Sequence, residues 1–303
     1  MPTREVPAPF VPRSESFDAL RTRFDALERS SGARALAVAV YDTETHASLR
    51  HHADRWFHAA STIKVAILLG VYAAIHRGWL LSHSRLHVRN RFISAADGQI
   101  FHVSAERDAN SEVRRSIGKM MRISDLALHM IATSSNLATN LLLDLVGLET
   151  VQRALDELGI DGIDVRRGVE DDRAFEYGIN NRVTADGLVQ LLRIIAEGRA
   201  FSTQLSRAML DILHAQEFRN GIPARLPSAV RVAHKTGEIS TIAHDAGVVY
   251  PPGRNPYVIA ILTEWPPEGT GRSAMIAEVS HTVYEALAGE TAEETATEEP
   301  SGG

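Results

Sequence analysis

The chain has 303 residues, 44% of them hydrophobic and 23% charged, with a formal net charge of -6. Such a composition suits a soluble globular protein with one or two cores, and its acidic balance offers no field for a nucleic acid or an anionic membrane. With no cysteine, disulfides, zinc thiolate sites and thiol nucleophiles are excluded, and a small-molecule or peptide partner is expected.

In chain order, residues 1–16 are rich in proline and polar groups and read as an extended N-terminal arm. They lack the apolar core of a signal peptide. A periplasmic or secreted protein would need a leader already removed; otherwise the chain is cytoplasmic. "FDALRTRFDALERS" carries apolar residues at helical spacing, and "ARALAVAVYDTETHASLRHHA" reads as two strands joined by a turn at Asp42 to Thr45. From Ser61 to about Ala215 the signals are mostly helical, with Ser or Thr at several starts and Gly at several ends. The polar stretch from Arg89 to Lys119 interrupts them as a short hairpin or an insertion. After Ala229 come three strands, "VRVAHKTG", "AHDAGVVYPPG" and "PYVIAILTEW", then a helix over "RSAMIAEVSHTVYEALAG". The acidic end, 289–303, reads as a disordered tail. The expected fold is α/β (α+β): residues 17–60 and 216–288 form an antiparallel sheet flanked by helices, and 61–215 an all-helical insertion domain.

Of 32 basic residues, only Lys64, Lys119 and Lys235 are lysine. Arginine stays charged in essentially any site, whereas a lysine can give up its proton near neutral pH. The lysines are therefore the places to look for chemistry. In "STIKVAILL" Ser61 lies at a helix start, where free N–H groups favour an anion. Lys64 follows at i+3 on the same face, within reach of the Ser61 hydroxyl, and its apolar surroundings would depress an amine pKa. A capping serine and a solvated lysine are the bland alternative, since S-x-x-K occurs roughly once by chance in a chain this long. "TSSNLATN" offers Ser134, Ser135, Asn136 and Asn140 as helix caps, or as a hydroxyl relay and a substrate amide contact. In "AHKTGEIS", Lys235, Thr236 and Gly237 end a strand along which a substrate backbone could lie; an edge lysine that blocks aggregation is the common alternative.

The order S-x-x-K, S-x-N, K-T-G resembles the class A β-lactamases and penicillin-binding serine hydrolases. The resemblance covers roughly residues 18 to 288, including "SSNLATNLLL" and "HKTGEISTIAHDAGVVYPPGRNPYVIAILT". It implies that Ser61 is the acylated nucleophile, Lys64 its amine partner, Ser134 the proton relay and Asn136 a substrate amide contact. Lys235 with Thr236 would form the carboxylate-binding side, and Gly237 would let the substrate lie close to the strand. Backbone N–H groups of Ser61 and Glu238 would form the oxyanion hole, with the Glu238 side chain repelling an anionic substrate if it turns inward.

Two departures stand out. Ser135 occupies the position of an aspartate, and the stretch after Glu170, "DDRAFEYG", does not resemble the usual active-site loop. Glu170 is the candidate deacylating carboxylate, against a surface carboxylate paired with Arg166 or Arg167; Asp171, Asp172 and Glu176 compete with it. A Ser-His-Asp triad using His58, His234 or His244 is unnecessary beside Lys64, and the histidine spacing gives no metal set. The resemblance thus implies a monomeric serine hydrolase that uses no cofactor and hydrolyses β-lactams. The alternatives are an esterase or DD-peptidase-like hydrolase with slow deacylation, and a non-catalytic β-lactam-binding sensor.

Overall fold

Strand β1 (Ala35–Asp42) is buried along its whole length in the computed structural model, which describes residues 17–108 and 110–289. The expected N-terminal arm and the acidic tail beyond Gly289 lie outside the described residues. With β2 (Ser48–His51), β3 (Arg231–Ile239), β4 (Ile242–Tyr250) and β5 (Tyr257–Glu264), β1 forms an antiparallel sheet in the order β3-β4-β5-β1-β2. Both ends of the chain therefore build one sheet. The two-residue period of a strand sorts the side chains of β1. Leu36, Val38 and Val40 face α1 (Phe17–Ser31) and a C-terminal helix, Arg272–Ala288, packing with Leu20, Phe24, Ile259, Ile261 and Val283. Ala35, Ala37 and Ala39 face the other core, where their small size lets a helix approach closely. Each fully buried Leu or Val adds about 1.5–3 kcal/mol.

The helices between the strands are α2 (Lys64–His76), α3 (Ile123–Ala132), α4 (Asn136–Val146), α5 (Leu148–Glu157), α6 (Ala185–Ala196) and α7 (Thr203–His214), with α8 the C-terminal helix Arg272–Ala288. Helix α2 is buried from Lys64 to Ala74. Its apolar residues surround the whole helix, as they must where other helices pack on every side. A side chain at Gly70 would collide with Val151 Cγ2 at 2.6 Å, so Gly70 sets the close approach of α2 to α5. Helices α6 and α7 lie against the sheet.

The stretch from Arg89 to Lys119 holds a hairpin, Phe92–Ile93 with Ile100–Phe101, and a one-turn helix, Ser111–Arg115. It is bracketed by a ribbon of Arg85–His87 with Met120–Arg122. Among the described residues, no helix is long and apolar enough to cross a membrane.

Candidate active site

Ser61 sits in a 3-10 turn, Ala60–Ile63, that leads into α2. The chain enters this turn through Ala60 at φ 45°, a left-handed conformation, with the Ala60 N–H donating to His58 Nδ1 at 3.1 Å. Strand β3 runs against the turn. A Cβ on Gly237 would lie 3.0 Å from the Ser61 and Thr62 nitrogens, so only glycine lets the strand pass this close to the serine.

Lys64 is fully buried. Its amine donates to the Ser134 carbonyl at 2.7 Å, to Ser134 Oγ at 3.0 Å and to Asn136 Oδ1 at 2.7 Å. The sequence suggests a direct reach to the Ser61 hydroxyl; instead, the amine is held by the S-x-N segment. Ser134 itself is at φ 57°, a conformation that costs a non-glycine residue about 1–3 kcal/mol. Burial drives the Lys64 amine well below the ordinary lysine range, helped by the Lys235 charge and opposed by Asp108 and Glu170. The solvated-lysine alternative is thereby overturned.

The loop that carries Ser134 is held by a residue that sequence reasoning missed. Asp108 accepts from the Asn136 and Leu137 N–H groups at 3.2 and 3.1 Å and from Ser135 Oγ at 3.3 Å. Ser135 in turn caps α4 by accepting from the Ala138 N–H. A carboxylate from a distant part of the chain thus sits at this helix N-terminus, where negative charge is favoured, although residue 135 is serine. Asp108→Asn is expected to cost about 1–2 kcal/mol, the worth of a helix cap, and to slow acylation through misplaced Ser134 and Asn136. Adding Ser135→Asp should restore part of both. Thermal unfolding and acylation rates measure this, and an Asp108→Asn variant equal to wild type in both would remove the assignment.

Glu170 is not a surface carboxylate paired with its neighbours. Arg166 pairs with Asp164, and Arg167 donates to Asn180 Oδ1 and the Gly168 carbonyl. The Glu170 side chain is 6% exposed. It accepts from Asn136 Nδ2 at 2.7 Å and from the Ser104 N–H at 2.8 Å, with Arg107 Nε at 3.3 Å. Glu170 is itself left-handed, at φ 58°. Asn140, one helical turn beyond Asn136, grips the residue before it, accepting from the Val169 N–H at 2.8 Å and donating to the Val169 carbonyl at 2.9 Å. The residue after it, Asp171, accepts from Ser94 Oγ, the Ala95 N–H and the Ala174 N–H. Asp171 is therefore an anchor, and Asp172 is occupied by Arg107.

Ser61, Ser134, Asn136, Thr236, Gly237 and Glu238 line one cleft of about 260 Å³, together with Arg107, Asn220, His244 and Ser273 among others. Lys235 stands behind this wall, fully buried, donating to the Thr236 carbonyl at 2.8 Å. Burial pushes its amine down to about 7, with Asp245 pulling the other way. Its burial is inconsistent with a solvated edge-strand lysine. Glu238 leans outward to Arg272, 3.2 Å away, so its charge is partnered. Of the three histidines, His244 lines the cleft, and burial lowers it to about 4. His58 is likewise about 4, through burial and Arg167. His234 is spent on Asp245 at 2.9 Å. Two serines line the cleft, and behind its wall the Lys64 amine bonds Ser134 and Asn136 while the Glu170 carboxylate bonds Asn136.

The family description "Beta-lactamase enzyme family" matches residues 19–287. The β-lactamase AST-1 of Nocardia asteroides is 31% identical over 278 residues, covering 88% of this chain and 83% of that protein. An ancestral class A β-lactamase superimposes with a TM-score of 0.76 at 27% identity, covering 88% of this chain and 100% of that one. The L158E mutant of PBP-A, solved as an acyl-enzyme complex with penicillin G, has a TM-score of 0.76 at 25% identity and covers 91% of this chain and 98% of that one.

Proposed function

This chain belongs to the beta-lactamase enzyme family, and from that membership we propose that it is a serine hydrolase that opens β-lactams through an ester on Ser61. The observation that carries the proposal is the buried Lys64 amine bonded to Ser134 and Asn136. In the neutral form that burial favours, the Lys64 amine keeps two N–H groups, enough for the Ser134 carbonyl and Asn136 Oδ1. Its lone pair turns to the Ser134 hydroxyl, through which the amine takes the Ser61 proton as Oγ attacks the lactam carbonyl. The oxyanion meets the backbone N–H groups of Ser61 and Glu238. As the C–N bond breaks, Ser134 passes its proton to the ring nitrogen and takes another from Lys64, which returns to the neutral amine. The substrate carboxylate lies toward Lys235, Thr236 and Gly237, and its amide carbonyl toward Asn136 Nδ2. Glu170 then draws a proton from water as the water oxygen attacks the ester, the C–O bond to Ser61 breaks, and the proton held by Glu170 passes to the leaving Ser61 Oγ. Every residue in this scheme comes from one chain, and action as a monomer is part of the proposal.

Deacylation is the slower half. A carboxylate offers about four acceptor positions, and three donors already surround Glu170, leaving little for the water. Mixing with excess nitrocefin should therefore give a burst of about one equivalent followed by slower turnover, with the ester visible by intact-protein mass spectrometry. Absence of both an adduct and turnover would remove the β-lactam assignment. An adduct that never turns over would replace it with a sensor.

A further inference from the structure

Away from the cleft, the edge strand β2 ends at His51, and His52 follows it. Successive residues of a strand point to opposite faces, but His52 is left-handed at φ 47°. The two rings consequently meet, with centroids 4.4 Å apart and planes at 61°. Phe24 packs edge-on against His51 at 5.6 Å. From α1, Asp25 brings Oδ1 to 3.8 Å from His51 Nε2. Among the described residues, this is the one place where three such donors converge, with ligand atoms all within 4.8 Å of one another.

The His51 side chain is only 4% exposed, yet its Nε2 has no hydrogen-bond partner. Buried polar atoms are ordinarily satisfied, and this one faces a carboxylate and a second imidazole. Histidine spacing alone gives no metal set here, because Asp25 is distant in sequence and adjacent strand residues should diverge. The left-handed turn at His52 removes the second obstacle.

We propose that Asp25, His51 and His52 bind a borderline divalent transition metal such as Zn²⁺, which staples α1 to the edge strand β2. Two imidazole nitrogens and one carboxylate oxygen match zinc's preferred donors at about 2.0–2.2 Å, with water in the fourth position. Tetrahedral donors at that range lie about 3.4 Å apart, so Asp25 and His52, the more exposed members, swing inward on binding. Mg²⁺ and Ca²⁺ favour all-oxygen sets and are excluded. The cleft borders β3, four strand spacings from β2, or about 19 Å at ~4.8 Å each. The metal therefore acts on stability and not on the reaction.

The test titrates the full, untagged chain with ZnCl₂, and separately with MgCl₂, by calorimetry and thermal unfolding. One Zn²⁺ per chain, a raised Tm and unchanged nitrocefin turnover are expected, with no response to Mg²⁺. Asp25→Asn and His52→Ala should each weaken Zn²⁺ binding roughly tenfold or more and remove the Tm rise, while their metal-free Tm reports that they fold. No saturable binding up to about 100 µM Zn²⁺, a concentration that would stabilise the fold measurably if the Kd were micromolar, would overturn the proposal. So would binding that both variants retain, since the chain has 13 histidines.

Discussion

Glu170→Gln is expected to turn the protein from a hydrolase into a trap, with one penicillin ester per chain persisting on Ser61. Removing a general base typically costs 10²- to 10⁴-fold, and a reading of about 10³ on deacylation is expected here, with acylation changed much less. Intact-protein mass spectrometry over hours follows the adduct, and nitrocefin kinetics follow turnover. Asn140 and Asp171 fix the chain on either side of Glu170, and Asn136 joins its carboxylate to the amine network. Asn136 has nothing spare. Its Oδ1 takes Lys64 while its Nδ2 serves Glu170 and the Arg107 carbonyl, so a substrate amide must displace one of these bonds. Turnover within threefold of wild type would move the base to another carboxylate.

Lys64→Met should abolish acylation itself, by roughly 10³-fold or more if the amine is the base, and no ester should form at all. Lys64→Arg should do the same, because arginine keeps its proton. Since burial holds the amine low, wild-type acylation rises with pH as Lys64 loses its proton, and both variants lose that rise. Thermal unfolding separates chemistry from folding. Replacing the buried amine by an apolar side chain recovers its desolvation cost, whereas Ser134 and Asn136 lose a donor at about 1–3 kcal/mol per unsatisfied group. The opposing effects leave the Tm of Lys64→Met near that of wild type. Acylation by Lys64→Arg at the wild-type rate would show that a neutral amine is not needed.

The sheet was legible because short apolar runs bounded by turn residues, "ALAVAVYD" and the closing strands, are a local signal, and helix α2 because its apolar run is long. Ser61, Lys64, Ser134 and Lys235 were legible through three short motifs in order. What joined them was not. Asp108 serves a loop 27 residues away, and no local pattern announces a carboxylate that caps a distant helix. Glu170 was ambiguous for the same reason: its partners are Ser104, Arg107 and Asn136, none of them adjacent in sequence. Asn140 could have been weighed more heavily, since it shares a helical face with Asn136 at i+4. The left-handed residues, Ser134, Glu170 and His52, defeat propensity altogether, because only tertiary contacts hold such residues there.

Strand β1 lies at the interior of the sheet, yet one of its two neighbours, β5, spans Tyr257–Glu264. During synthesis, β1 and β2 must wait as an open hairpin until more than two hundred further residues have been made. Closing so large a loop is slow, and in the interval the apolar strand edges are exposed to other chains. Chains released before β5 are therefore candidates for aggregation, and the final pairing of the first strand with the last is the step on which folding of the sheet depends.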